Sequence, residues 1–151
     1  MISTPDNSIQ KITPVLSISG VSKQYSDGGR QLSVLTDVNL TIQAGERCAL
    51  IGPSGSGKST LLSIAAGLLP VSTGIVTLAG RELHHMSQDE LAVLRRKEVG
   101  FVFQSFNLVP TLTAIENIML PLELDYERNK DSIEDRSNEA IEAVGLQSRK
   151  K

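Results

Sequence analysis

Only one cysteine, Cys48, occurs among the 151 residues, so no internal disulfide can form and a thiolate metal site would lack ligands. Aromatic residues make up just 3% of the chain and include only two tyrosines, which makes each worth placing individually. Neither sign of charge dominates. The formal net charge is −2, so no chain-wide basic field exists to attract nucleic acid or acidic lipid, and Arg149-Lys150-Lys151 is only a short basic end. Long hydrophobic runs are missing as well: the longest apolar stretch, Leu61 to Val71, is well short of the ~20 residues of a membrane helix. No charged-then-apolar leader pattern, internal repeat or low-complexity tract is visible. What remains is a length sufficient for one domain with a real core.

Against these absences stands one dense motif, Gly52-Pro53-Ser54-Gly55-Ser56-Gly57-Lys58-Ser59. It fits G-x-x-x-x-G-K-[ST], a spacing that ordinary glycine usage makes rare by chance. Phosphate oxygens are held best by several N–H groups converging at the start of a helix. Gly52, Gly55 and Gly57 remove side chains where the backbone must approach, Lys58 supplies a point charge, and the Ser59 hydroxyl, followed by Thr60, suits Mg²⁺. The bland alternative is a glycine-rich turn with a solvated lysine. It is disfavoured by context, because Arg47 to Ile51 reads as a buried parallel strand before the loop and Ser59 to Leu69 as a helix after it. That helix would turn Leu61, Leu62, Ala65 and Leu69 inward and stop at Pro70. Cys48 would be a small buried hydrophobe in the strand.

The rest of the chain predicts a mixed α and β order. Residues 1–14 form a polar lead-in, and 15–151 form the domain. Val15 to Ser22 and Val38 to Ile42 read as strands separated by a turn at Asp27-Gly28-Gly29, and Ala44-Gly45-Glu46 as another turn. Ser72-Thr73-Gly74 is a turn, Ile75 to Leu78 a short strand, and Ala79-Gly80 a break. Ser87 with Glu90 and Thr113 with Glu116 are capping boxes. The first starts a helix that buries Leu91 and Leu94 and ends in Arg95, Arg96 and Lys97. Val99 to Phe103 reads as a strand ending at Gln104, followed by a loop from Ser105 to Pro110. A last helix over Ser132 to Val144 turns Ile133, Ala140, Ile141 and Val144 inward and stops at Gly145. His84 and His85 read as solvated residues, since adjacent histidines in a strand face opposite ways and no carboxylate cluster has metal spacing around them.

Four features together resemble the N-terminal part of the ATP-binding subunit of an ABC transporter, most nearly the lipoprotein-release and macrolide-export type. They are ISGVSKQY at 18–25, GPSGSGKSTLL at 52–62, GFVFQSFNLVPTLTAIENIMLPL at 100–122, and the order that links them. The resemblance implies an α/β, P-loop NTPase-type cassette with an antiparallel β subdomain. It implies ATP and Mg²⁺ as cofactors, with Tyr25 stacking on adenine and Gln104 reaching the metal and the attacking water. An ordinary half-buried strand tyrosine and a polar strand-end glutamine are the plainer readings of these two. It also implies a membrane-spanning permease and a second cassette as partners, no nucleic acid, and a cytoplasmic location peripheral to the inner face of the plasma membrane. Phe106, Leu108, Val109 and Leu112 could dock on the permease or fill a small-subdomain core.

The sequence departs from the family in what does not appear before Lys151. No LSGGQ-like signature, no hydrophobic strand ending in Asp-Glu and no switch histidine is found. The resemblance therefore implies a partial cassette, truncated before the signature and Walker B strand, that binds Mg-ATP weakly or moderately at best and hydrolyses it negligibly by itself. Several strands of a parallel core sheet are expected to be missing, so the strand before the phosphate loop would expose an apolar edge. A non-catalytic truncated remnant is the alternative reading, and a P-loop small-molecule kinase is disfavoured because no arginine-bearing lid or acceptor site follows Gln104.

Overall fold

The computed structural model describes residues 13–105, 107–124 and 132–149. They fall into two units, residues 1–101 and 102–151. The first is built on an antiparallel sheet of four strands, β1 (Leu16–Asp27), β2 (Arg30–Ile42), β3 (Thr73–Leu78) and β4 (Arg81–Glu82), in the order β2-β1-β3-β4. Between β2 and β3 lies α1 (Lys58–Ala65), and after β4 come a 3₁₀ turn (Leu83–His85) and α2 (Gln88–Glu98).

The β1–β2 hairpin closes on Gly28 and Gly29, both at positive φ (54° and 85°), with Asp27 paired to Arg30. Two successive positive-φ residues give the primed turn whose twist matches that of the strands. Both strands run longer than their apolar alternation suggested, because the turn carries the pairing outward into polar residues. Thr73 and Gly74 belong to β3 rather than to a preceding turn. Gly74 sits at φ 90°, and a Cβ there would collide with the Gly20 carbonyl oxygen of β1. The close backbone approach is what glycine permits at that point.

One face of the sheet buries Leu16, Ile18, Val21, Leu35 and Val76 against Leu61 and Ile64 of α1, Leu83, and Leu91 and Leu94 of α2. Within α1 the inward positions are Leu61 and Ile64, while Leu62 is exposed. The helix ends earlier than Pro70. Gly67, at φ 66°, donates to Ile64 O at 3.0 Å and Leu68 N donates to Ser63 O at 2.8 Å, the paired bonds of a left-handed helix stop. Arg95 near the end of α2 donates to the Gly67 carbonyl at 2.7 Å, giving one of the carbonyls at the α1 terminus a charged partner.

Two expected strands are absent. Arg47 to Ile51 and Val99 to Phe103 carry no ladder pairing among the described residues, Ile51 is 95% exposed and Val102 96%, and Cys48 is exposed rather than buried. A parallel strand exists only through neighbours reached by a crossover. Here all pairing is antiparallel and confined to β1–β4.

The second unit contains α3 (Ala114–Glu123) and α4 (Ile133–Ala143). Asn117 on α3 latches the segment before it, accepting from Val109 N at 2.8 Å and donating to Leu112 O at 3.1 Å. On α4 the buried positions are Ile141 and Ser137, whose hydroxyl donates to Ile133 O at 2.7 Å. Ala140 and Val144 are exposed, contrary to the apolar stripe expected of them. Gly145 does stop the helix, at φ 69° with its N–H on Glu142 O.

Both capping boxes form. Ser87 Oγ accepts from Glu90 N while Glu90 accepts from Ser87 N at 2.8 Å, and Thr113 and Glu116 repeat the arrangement. The backbone N–H of Ser87, and then its hydroxyl, hold the Glu90 carboxyl below its ordinary value; Thr113 does the same to Glu116.

Candidate functional site

The segment from Gly52 to Gly57 is irregular, exposed through Ser56 and half-buried at Gly57. Its shape is fixed from inside. The Lys58 ammonium donates to Gly52 O at 2.9 Å, to Pro53 O at 2.7 Å and to Ser56 Oγ at 3.4 Å, and Ser56 N reaches Pro53 O at 3.3 Å. All three ammonium protons are thus engaged within the loop. Gly57 is the N-cap of α1 at φ 86°. A Cβ on Gly57 would lie 2.9 Å from both Leu35 Cδ2 and Val34 O, so this glycine lets the loop rest directly on β2. Gly55, at φ 78°, has open space where its Cβ would be.

The first turn of α1 carries no acidic residue and its N-cap makes no side-chain hydrogen bond. The helix's own bonding begins with Leu61 N on Gly57 O at 2.9 Å, which leaves the N–H groups of Lys58, Ser59 and Thr60 without an intrahelical acceptor. Those donors lie at the positive end of the helix, with the Ser59 side chain exposed beside them and Thr60 half-buried. Pro53 and Ser54 are exposed in the same loop.

Tyr25 is 41% exposed on β1. Its neighbour two positions back, Lys23, pairs with Leu35, the residue beneath Gly57, so the ring lies on the order of 7 Å along the strand from the loop's support. Lys23 Nζ lies 5.1 Å from the ring centre. Gln104 is an exposed bend residue of the second unit and is described with that unit. Of the apolar set after it, Leu108 and Val109 are exposed, Leu112 is half-buried, and Phe106 lies outside the described residues.

Lys23 is the neighbour of Tyr25 that sequence reasoning missed. Its signal was a lysine inside an otherwise apolar strand pattern. A second omission was the carboxylate beside the histidine pair: Glu82 Oε2 lies 3.6 Å from His84 Nε2 and 3.4 Å from His85 Nε2. The E-x-H-H spacing reads as a cluster only once the turn is known.

Comparison with known proteins bears on most of the chain. The sequence model of the family described as ABC transporter matches residues 35–151. The uncharacterised ABC transporter ATP-binding protein YbbA of Escherichia coli K12 is 47% identical over 137 residues, covering 89% of this chain and 59% of YbbA. The lipoprotein-releasing system ATP-binding protein LolD of Francisella tularensis is 42% identical over 135 residues, covering 89% of this chain and 58% of LolD. Among solved structures, the dimeric post-hydrolysis ATP-binding cassette MJ0796 bound to ADP and Pi superposes with a TM-score of 0.82 at 38% identity, over 89% of this chain and 59% of that one. The chain therefore spans a little under three-fifths of the length of the relatives it matches.

Proposed function

The chain belongs to the ABC transporter family, and on that footing we propose that Gly52, Pro53, Ser54, Gly55, Ser56, Gly57, Lys58, Ser59 and Thr60 hold the phosphates of ATP, with Tyr25 stacking on adenine. The observation that carries this reading is the uncapped, acid-free N-terminus of α1 continuous with a loop closed by Lys58. Anions are favoured there by the open N–H groups and the helix dipole together.

The residues present fit Mg²⁺ accompanying the nucleotide. Mg²⁺ keeps several waters and takes few protein ligands besides substrate phosphates. An exposed hydroxyl at Ser59, in a first turn free of carboxylates, offers one such ligand. Bound there, the cation would neutralise phosphate charge, while Ser59 orients it.

The relatives' functions suggest the setting. By likeness to LolD, described as lipoprotein-releasing, and to MJ0796, described as dimeric, the chain would act as part of a cassette that pairs with another and serves a membrane permease. Location on the cytoplasmic face of the plasma membrane goes with that role. Among the described residues no helix is long and apolar enough to cross a membrane.

Titration of the chain with ATP in the presence of Mg²⁺ tests the reading. Saturable binding that is lost in Lys58→Ala is expected. Binding that is unchanged by Lys58→Ala, or none in the unaltered chain, would overturn it.

A further inference from the structure

Outside the phosphate loop, one side-chain cluster has the chemistry of a ligand set. Glu82, His84 and His85 each present a ligand atom, and these atoms all lie within 4.8 Å of one another. All three residues are exposed. We propose that they form a surface site for a transition-metal dication of the Zn²⁺ kind.

The local backbone makes the cluster. A 3₁₀ turn has three residues per turn, so positions i and i+3 eclipse and adjacent residues diverge by about 120° rather than pointing to opposite faces. Glu82 is the N-cap and His85 stands three residues on, over the same side of the turn. Leu83, only 8% exposed, takes the inward position and anchors the turn in the core. The remaining three side chains are left facing solvent together, and the two rings approach with centres 3.8 Å apart at 43°.

The spacing suits a tetrahedral ion. Ligand bonds of ~2.0–2.1 Å to Zn²⁺ set neighbouring ligand atoms about 3.3–3.5 Å apart. Glu82 Oε2 lies 3.4 Å from one imidazole Nε2 and 3.6 Å from the other. Two neutral imidazoles and one carboxylate, with water completing the shell, favour Zn²⁺ and its neighbours in the first transition row over oxygen-seeking Mg²⁺. The site is thus chemically separate from the nucleotide's metal.

Calorimetric titration of the whole chain with Zn²⁺, without nucleotide, tests this. One equivalent is expected to bind, with affinity falling about tenfold or more in His84→Ala and in His85→Ala, since even the loss of an outer-shell partner of a metal ligand costs that much. Glu82→Gln, nearly isosteric and exposed, is a second variant expected to weaken binding with the fold intact. Excess Mg²⁺ is expected to leave the Zn²⁺ isotherm unchanged. The proposal is overturned by absence of Zn²⁺ binding, by binding that persists unchanged in the double variant His84→Ala, His85→Ala, by displacement with Mg²⁺, or by binding abolished in Cys48→Ser, which would assign the ion to the exposed thiol.

Discussion

Lys23 Nζ stands 5.1 Å from the centre of the Tyr25 ring while donating a 2.7 Å hydrogen bond to the Pro70 carbonyl. A lysine only 9% exposed therefore joins the hairpin to the segment behind α1 and also supports the aromatic ring with positive charge. Replacing it by methionine keeps the aliphatic stem and deletes the charge. Lys23→Met is expected to lower stability by about 1.5–3 kcal/mol, the range for a hydrogen bond to a charged group. Urea denaturation measures it, and unchanged stability would show that the bond contributes nothing.

Tyr25 itself separates stacking from hydrogen bonding. If the ring stacks on adenine, Tyr25→Phe keeps ATP affinity, whereas Tyr25→Ala loses about 1–3 kcal/mol of it, the usual value of base–aromatic stacking. Equal affinity for the alanine variant in an ATP titration would remove the assignment.

Gly55 and Gly57 share left-handed backbone but not surroundings. Gly55→Ala adds a methyl group to open space and is expected to cost about 1–2 kcal/mol from backbone strain alone. Gly57→Ala also drives a methyl group into Leu35 and the Val34 carbonyl, adding about 1–3 kcal/mol of overpacking. The order Gly57→Ala worse than Gly55→Ala is read from denaturation midpoints; the reverse order would contradict the packing.

Ser59 distinguishes metal-dependent from metal-independent binding. Ser59→Ala is expected to weaken ATP binding measured with Mg²⁺ and to leave binding measured in EDTA unchanged. A variant that loses both equally would place the hydroxyl in phosphate contact instead.

The two capping boxes carry a pH signature. Glu90 and Glu116 are held below their ordinary value of 4.5 in the folded chain by hydrogen bonds from Ser87 and Thr113. The unfolded chain therefore takes up protons first as pH falls. Their stabilising contribution is complete above 4.5 and is lost as pH drops through the lower folded values. Ser87→Ala and Thr113→Ala are each expected to cost about 1 kcal/mol near neutrality, the ordinary cost of a lost N-cap. Their difference from the parent should narrow on acidification, and a gap that does not narrow would mean the carboxylates play no part.

These boxes were legible in the sequence because cap and partner lie three residues apart and need nothing else. The same is true of the Gly28-Gly29 turn, the Gly145 stop and the glycine-rich loop that leads into α1. Arg47 to Ile51 and Val99 to Phe103 failed for the opposite reason: apolar β-formers mark a strand, but pairing requires a distant neighbour that no local pattern reports. Apolar counting also misplaced Leu62, Ala140 and Val144, since which side of a helix faces inward is decided by its packing partner. For Ser137, a hydroxyl that bonds back to Ile133 O, a polar residue occupies the buried position that an apolar stripe would have assigned elsewhere.

The internally bonded Lys58 has a consequence for selectivity among anions. Three acceptors, Gly52 O, Pro53 O and Ser56 Oγ, already serve its three protons. An anion offering one contact would exchange several bonds for one, whereas a ligand with many oxygens spread along a chain can replace them together and engage the open N–H groups of α1 besides. On the proposed reading the loop would therefore filter on denticity, discriminating by how many acceptors arrive at once rather than by charge alone.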